Sequence, residues 1–520
     1  MLKTFKKHQK LFSAVILIIY AVVTYIGVLF HEHWYDEAQA WLIVRDNDFA
    51  GILDMLKFEG HPPLWYFILF PFVKLGMSFA ALSVISWSIS VVTAWLVLKK
   101  APFHLGFKTA ILFSCGFLFY NSVTARIYCV IVLLLCLLAI LYKDRQKHPL
   151  LFGLLTGLLA MTHVTMCGLV GIIGIEMLID FFRGFKANSA KQNLLNTAGL
   201  ITAGAGVLML VLPLLSSLSS SSSIEKDELT PAVLLQRFAN IFTCIGKSIF
   251  PANNSLLLTP LICGIVTLLI LSCLFFLRRY KKALTAALVF SVFYFFSTQI
   301  IFTIMIPSRA SVYLYTLICI FWAAKTSEAP HKTALQPDCS KIHSSLLQKA
   351  VQWFVKADRH FEHTISVILC LLCIISIPRG VYQLVRDYFE PYTVESAAAK
   401  FLKENLMNEN SVLVAYEPTC SALLAAEPAL QIYNLGYRDF ITYNPYLLGD
   451  KQRRKNSESP HPLLNGYQHI YYISISHSNV SEGQAASPVQ ITPLYEQTIP
   501  YADDYIQGYI LIYEIFPDQL

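Results

Sequence analysis

Apolar residues in this chain come in runs of about 18–22 positions, the length a helix needs to cross a hydrocarbon core of roughly 30 Å. Clear runs begin at Leu11, Phe79, Leu194, Leu256, Ala283 and Thr364. A single run of this kind fits a buried core helix, but around ten of them do not fit one soluble domain. Basic clusters punctuate the runs: Lys3 to Lys10, Lys99 to Lys108, Lys143 to Lys147, Arg183 to Lys191, Arg278 to Lys282, and Lys325 to Arg359. Placing every cluster on the cytoplasmic side, as the positive-inside bias requires, pairs the runs throughout. About eleven spans result, near 11–30, 80–98, 109–122, 127–142, 150–163, 167–182, 194–214, 256–277, 283–303, 308–324 and 364–378. The N-terminus is then inside and the C-terminus outside.

The stretch 63–78 is apolar enough to span, but counting it would place Lys99 and Lys100 outside. It reads instead as an interfacial or half-inserted helix that starts at the Pro62-Pro63 pair. The first span leads into His31-Glu32-His33-Trp34 with no small-residue cleavage site, so it reads as an anchor and not a removed signal. Three outer segments follow from this topology: 31–62; 215–255, whose Ser216–Ser223 run reads as a linker; and the tail from 379 to 520. In the tail the apolar runs shorten. Residues 394–408 predict an amphipathic helix, and Ser411–Tyr416, Leu430–Tyr433, His469–Ser474 and Tyr509–Ile515 predict strands, several suited to a buried sheet. The expected architecture is a polytopic α-helical membrane module over 1–378 and a small α/β extracytoplasmic domain over 379–520. The cytoplasmic loop 325–363 is polar and basic, with no recognisable chemistry.

Composition agrees. Of 520 residues, 55% are hydrophobic and 14% charged, against roughly 25% charged in soluble domains, and the mean hydropathy is +0.54. The net charge of +7 is accounted for by the cytoplasmic clusters, which removes nucleic acid as an expected partner. Twelve cysteines lie mostly within spans, where a thiol is a small apolar filler. No CxxC pair or zinc spacing appears. Cys244 and Cys420 would share the outer side and could bond, and His31 with His33 could ligate a metal, although such a pair is more often structural. No cofactor is required by this reading.

Candidate chemistry concentrates where the first span ends, in His31-Glu32-His33-Trp34-Tyr35-Asp36-Glu37-Ala38-Gln39. Charge at a membrane helix end is costly and usually has a task, although a solvated loop marking the outer side would look the same. Other polar groups interrupt apolar stretches at predicted outer turns: Tyr120-Asn121-Ser122, Ala125-Arg126-Ile127-Tyr128, Thr162-His163 and Pro307-Ser308-Arg309. Any one of them reads as a snorkelling anchor. Together with Asp36, Glu37 and His61 they describe one polar pocket, with acids and bases at one depth, suited to an anionic lipid headgroup.

At these residues the chain resembles a family. Tyr35-Asp36-Glu37-Ala38-Gln39, followed by Glu59-Gly60-His61-Pro62-Pro63-Leu64-Trp65-Tyr66, is similar to the GT-C membrane glycosyltransferases. Within these it resembles the bacterial, family 39-like branch related to protein O-mannosyltransferases and to the aminoarabinose transferase of lipid A. Ala125–Tyr128, Thr162-His163, Ser308-Arg309 and the helix Glu395–Leu406 fall where that branch carries similar signatures. The resemblance implies a polyprenyl-phosphate sugar donor, a glycan, lipid or protein acceptor, inverting transfer at the outer face and a bacterial plasma membrane. Asp36 is then the general base, and Glu37 the weaker candidate that orients a partner or the acceptor. Arg126 and Arg309 stabilise the leaving phosphate. His61, His163 and Tyr128 complete the donor phosphate and sugar site, and 63–78 walls the groove for the polyprenyl tail. The chain departs from the pattern in three ways. It has no inserted domain of the MIR type, it has His61 where some aminoarabinose-type relatives have Lys, and it has no clear outer DxD motif. A secondary transporter would place its polar residues near the midplane between repeated halves, whereas these lie at outer ends and no repeat is found. A non-catalytic scaffold or a lipid-carrier ligase would share much of the composition.

Overall fold

The computed structural model describes residues 2–59, 61–220, 230–249, 258–298, 307–331, 345–390, 393–415, 421–428, 430–435, 438–442, 462–464, 466–476, 493–498 and 509–515. Eighteen α-helices occur among them. The first nine are α1 Leu2–Phe30, α2 Tyr35–Asp46, α3 Phe49–Glu59, α4 Leu64–Lys74, α5 Ala81–Lys100, α6 Leu105–Phe113, α7 Tyr128–Leu141, α8 Pro149–Ala160 and α9 Cys167–Gly184. They are followed by α10 Ala190–Ser220, α11 Pro231–Ile249, α12 Leu258–Leu277, α13 Lys281–Phe296, α14 Pro307–Ser327, α15 Ser345–Arg359, α16 Phe361–Phe389, α17 Glu395–Phe401 and α18 Ser421–Ala426.

Among the described residues six segments are long and apolar enough to cross a membrane: His8–Phe30, Ala81–Lys100, Val164–Gly184, Ala190–Pro213, Pro260–Leu277 and Phe361–Phe389. Their outer surfaces are apolar as well. Leu11, Ile18 and Leu29 on α1 and Leu194 and Ile201 on α10 are each more than 60% exposed, as helices facing lipid should be. Of the other predicted spans, 308–324 lies inside the continuous 21-residue α14 and 283–303 overlaps α13, while the rest are shorter or broken. The 109–122 run divides into the nine-residue α6, an extended Ser114, and a π turn over Gly116–Tyr120; α7 has 14 residues and α8 has 12. Helices α6 and α7 sit inside the bundle, with α7 buried over most of its length, while α8 keeps Leu150, Leu151 and Leu154 exposed on one flank. Non-helical backbone is tolerated at membrane depth where protein surrounds it. The stretch at 63–78 forms the 11-residue α4, starting after Pro63 and too short to cross.

Several expectations change. The serine run does not begin a linker, because α10 continues as helix through Ser220; residues 221–223 lie outside the described ones. The outer loop 31–62 contains α2 and α3, the loop 215–255 contains α11, and the loop 325–363 contains α15. The last apolar helix does not stop at 378: α16 runs through Pro378 to Phe389. Cys420, and the side chain of Cys244, lie outside the described residues.

Helices α8 and α10 pack backbone to backbone. A Cβ on Gly153 would stand 2.0 Å from the Gly199 carbonyl oxygen, and one on Gly206 would stand 2.2 Å from that of Gly157. Glycine is required at this seam, because the obstructing atoms are main chain and cannot move aside.

After α16 the chain forms a six-stranded mixed sheet of order β3-β2-β1-β4-β6-β5. Its strands are β1 Ser411–Ala415, β2 Ile432–Asn434, β3 Asp439–Ile441, β4 His469–Ser476, β5 Tyr495–Thr498 and β6 Tyr509–Ile515. The central β1 is parallel to both neighbours (Leu413 opposite Ile432, Val412 opposite Ile470), while β3, β5 and β6 run antiparallel to theirs. Its predicted strands were continuous apolar runs because both faces are covered. Val412, Val414, Tyr433, Tyr472 and Leu511 fill one face. Leu413, Ala415, Ile432, Ile473 and Ile512 fill the other, against α17, α18 and the first-loop helix α2, which contributes Ala38 and Leu42. The opposite side of α2 supplies Ala40, Trp41, Ile43 and Val44 to the core of the helical bundle. One short helix thus belongs to two cores. The protein is a polytopic helical membrane protein with a C-terminal α/β domain.

Candidate functional site

The site is built on the N-terminal turn of α2. Trp34 caps the helix in extended conformation, and Glu37, three residues on, accepts its backbone N–H at 3.1 Å, one half of a capping box. This turn sets the two adjacent carboxylates on different sides. Glu37 is fully buried: Oε2 also meets His31 Nε2 at 3.1 Å, and Oε1 accepts the backbone N–H of Ala125. Asp36 retains 26% exposure of its side chain and contacts the Arg126 guanidinium through Oδ2, with Arg126 only 8% exposed. Consecutive residues of α2 therefore grip consecutive residues of the 125–126 segment, one through its backbone and one through its charge.

Arg126 is flanked by two rings, with its Cζ 5.6 Å from the Trp34 centroid and 5.8 Å from that of Tyr128, within the range of cation–π attraction. Tyr128 begins α7, lies 6.1 Å from the His163 ring and has a buried hydroxyl with no hydrogen-bond partner among the described residues. His163 caps the turn before α9. Its Nδ1 accepts the Thr165 backbone N–H at 3.2 Å, which leaves Nε2 to carry the ring proton. Burial, followed by the neighbouring Arg309, His61 and Arg126 side chains, holds His163 well below the usual imidazole range, so it is neutral. At Asp36 burial opposes ionisation. The Arg126 guanidinium, with His61 and Arg309, outweighs it and holds the carboxyl below its ordinary value. Arg309 is placed on the first turn of α14, where its carbonyl accepts the Tyr294 hydroxyl at 2.6 Å. Helix α4 reaches the same place, since the Leu64 N–H donates to the Met161 carbonyl at 3.2 Å, two residues before His163.

The structure thus brings Asp36, His61, Arg126, Tyr128, His163 and Arg309 into one neighbourhood, with Glu37 directly beneath it. His33 is neutral at the pH of interest, pushed down to about 4 by burial, and its Nε2 lies 2.6 Å from Ser83 Oγ. His31 and His33 therefore engage Glu37 and Ser83, and among the described residues no group of three or more His, Cys, Asp or Glu side chains is arranged to hold a metal ion.

Two functional candidates escaped the sequence reading. Asp387 on α16 meets His31 Nδ1 at 2.8 Å. The aromatic bracket of Trp34 and Tyr128 around Arg126 also appears only in three dimensions. A signal for Asp387 existed: Arg379, Gln383 and Asp387 recur every fourth residue beyond Pro378, and all three are buried on one face of α16.

Fold and site together define a membrane protein with a compact ionic site where several apolar helices end. In backbone path the chain is similar to the oligosaccharyltransferase of Archaeoglobus fulgidus. Against its complex with zinc and sulfate the TM-score is 0.41 at 10% identity, covering 88% of this chain and 67% of that one. Against the apo form it is 0.42 at 11% identity, covering 89% and 69%. No protein-family model and no curated protein sequence matches the chain.

Proposed function

We propose that this protein is a membrane glycosyltransferase that moves a sugar, with inversion, from a polyprenyl-phosphate donor to a glycan, lipid or protein acceptor at the outer face of the plasma membrane. The carrying observation is the Asp36–Arg126 pair, partly open, ringed by His61, His163 and Arg309 where apolar helices end. A carboxylate and fixed cations side by side match the two charges that change in such a reaction. Asp36 takes the proton of the acceptor hydroxyl as that oxygen bonds to the anomeric carbon. The carbon–oxygen bond to phosphate breaks, its electron pair leaves with the lipid phosphate, and Arg126 and Arg309 balance the developing charge. The neutral His163 donates from Nε2, and the Tyr128 hydroxyl supplies a further donor. Helix α4 walls the lipid tail. Glu37, with no open face, orients Asp36 and Arg126 instead of reacting.

The ion pair gives the cycle an order. Arg126 holds Asp36 weakly basic while the site is empty. A donor phosphate competes for the guanidinium, and Asp36 regains basicity as the leaving group becomes stabilised. Base and donor are thus linked through one arginine.

The test is sugar release from a panel of polyprenyl-phosphate sugars by purified protein. Asp36→Asn is expected to lower turnover of the accepted donor by about 10²–10⁴-fold with normal amounts of folded protein, and near-normal activity would remove Asp36 as the base. Arg126→Ala is expected to weaken the donor far more than the acceptor; equal losses would refute the phosphate role. If folded wild-type protein turns over no donor with acceptors present, the transferase reading fails in favour of a transporter or scaffold.

A further inference from the structure

Beneath the ionic site lies a second set of charges that the proposed chemistry does not use. His31 follows the last residue of α1 and is fully buried at its side chain. Its Nδ1 lies 2.8 Å from Asp387 Oδ2 on α16, and its Nε2 lies 3.1 Å from Glu37 Oε2 on α2. Asp387 is as enclosed as His31, with 1% side-chain exposure. Ionised carboxylate oxygens only accept hydrogen bonds, so with both carboxylates ionised the ring between them donates from both nitrogens and carries a positive charge.

We propose that His31 is a positioning residue, a buried imidazolium strut that joins the ends of α1 and α16 to Glu37 and through Glu37 holds Asp36 and Arg126 in register. The path is short. Glu37 is bonded to His31 on one side and to the N–H groups of Trp34 and Ala125 on the others. Asp36 adjoins Glu37, and Arg126 adjoins Ala125. Loss of the strut leaves Glu37 Oε2 held by the Trp34 N–H alone and loosens the capping turn of α2, so the Asp36–Arg126 contact loses its fixed geometry.

The surroundings keep the charge in place. Glu32 and His33 follow His31 in sequence, Arg386 stands beside Asp387 on α16, and Glu395 on α17 is near Glu32. The Phe119 and His33 rings pack edge to face against His31, at 6.0 and 5.7 Å between centroids. Burial opposes the charge on His31, but Asp387 and Glu37 override it and raise the group to about 10.

A role in turnover rests on the transferase reading above, whereas the strut itself does not, and the test separates them. Full-length protein labelled with ¹⁵N-histidine in nanodiscs is examined by NMR at pH 8. One histidine is expected with both ring nitrogens protonated, its signals absent in His31→Gln and shifted in Asp387→Asn. A neutral His31 in folded wild-type protein overturns the proposal. In the sugar-release assay, His31→Gln is expected to lower kcat by about 10²-fold with donor KM little changed, and wild-type activity is expected to fall as pH rises through about 10. Asp387→Asn keeps the His31–Glu37 bond and gives a milder loss; the double variant is no worse than His31→Gln alone. Wild-type kinetics in both single variants, or additive losses, would refute the positioning role. If His31→Gln does not fold, Asp387→Asn and the wild-type NMR spectrum decide. If no donor is turned over, the transferase reading fails while the NMR result still decides the strut.

Discussion

Glu37 and Asp36 are neighbours with the same functional group, yet the structure predicts opposite consequences for the same amide substitution. In Glu37→Gln the volume is conserved but the hydrogen-bond inventory is not. Oε2 serves two donors, Trp34 N–H and His31 Nε2, and Oε1 serves a third, Ala125 N–H. Glutamine has one acceptor end and one donor end. With its carbonyl toward Trp34 and His31, its NH₂ faces the Ala125 N–H; turned over, it faces two donors. At least one buried donor is orphaned, costing about 1–3 kcal/mol. The buried imidazolium of His31 also loses a counter-charge, and breaking a buried pair costs about 3–5 kcal/mol. These terms overlap, so a total of roughly 3–5 kcal/mol is expected. Asp36→Asn keeps the shape of a partly exposed position beside the buried Arg126 and should cost less, about 1–3 kcal/mol. The assay is apparent unfolding temperature of purified protein in one detergent, as a function of pH. Glu37, depressed to about 2 from 4.5, contributes stability that is full above pH 4.5 and lost as pH falls toward 2. His31, raised to about 10 from 6.5, contributes stability that is full below pH 6.5 and lost as pH rises through 10. For this pair the wild-type plateau spans pH 4.5–6.5, and Glu37→Gln should lower it and flatten its acid limb. A Glu37→Gln protein as stable at pH 6 as wild type and Asp36→Asn would refute the reasoning.

Two further outcomes are expected. Tyr128→Phe removes a buried hydroxyl with no partner among the described residues, so unfolding temperature should hold or rise while donor KM increases several-fold; an unchanged KM would take the hydroxyl out of the site. Gly153→Ala sets a Cβ against the Gly199 carbonyl and should destabilise by at least about 1–3 kcal/mol, read as lower unfolding temperature and less protein in the membrane, with wild-type values showing that α8 and α10 separate freely.

The sequence made some helices plain and hid others for one physical reason. Helices facing lipid, such as α1, α10 and α12, are apolar all round and give long uninterrupted runs. Helix α7 was plain as the 127–142 run, whereas the 109–122 run breaks at Ser114 and Asn121, where protein contacts that no hydropathy window contains stabilise the turns. Helix α2 was invisible because both its sides are buried, against different cores, so it shows no single apolar stripe. Strands β3 and β5 are short edge strands with mixed polarity. At the site, the residues Asp36, His61, Arg126, Tyr128, His163 and Arg309 were legible because polar groups at the ends of apolar segments stand out one by one. What separates Asp36 from Glu37 was not, because it depends on Ala125, His31 and Asp387, which are distant in sequence.

The double membership of α2 also determines which parts of this protein can be exchanged. Its Gln39 Oε1 accepts the Ser421 hydroxyl at 2.6 Å, and Arg45 Nη2 reaches the Thr442 carbonyl at 3.1 Å, so the sheet domain is bonded to residues nearly 400 positions earlier. Cutting the chain after α16 would strip Ala38 and Leu42 of their packing and expose one flank of the helix that carries Asp36. A chimera that swaps the outer domain must therefore carry residues 35–46 with it; the inheritable module is discontinuous, and a graft designed from linear boundaries alone would disable a site it never touched.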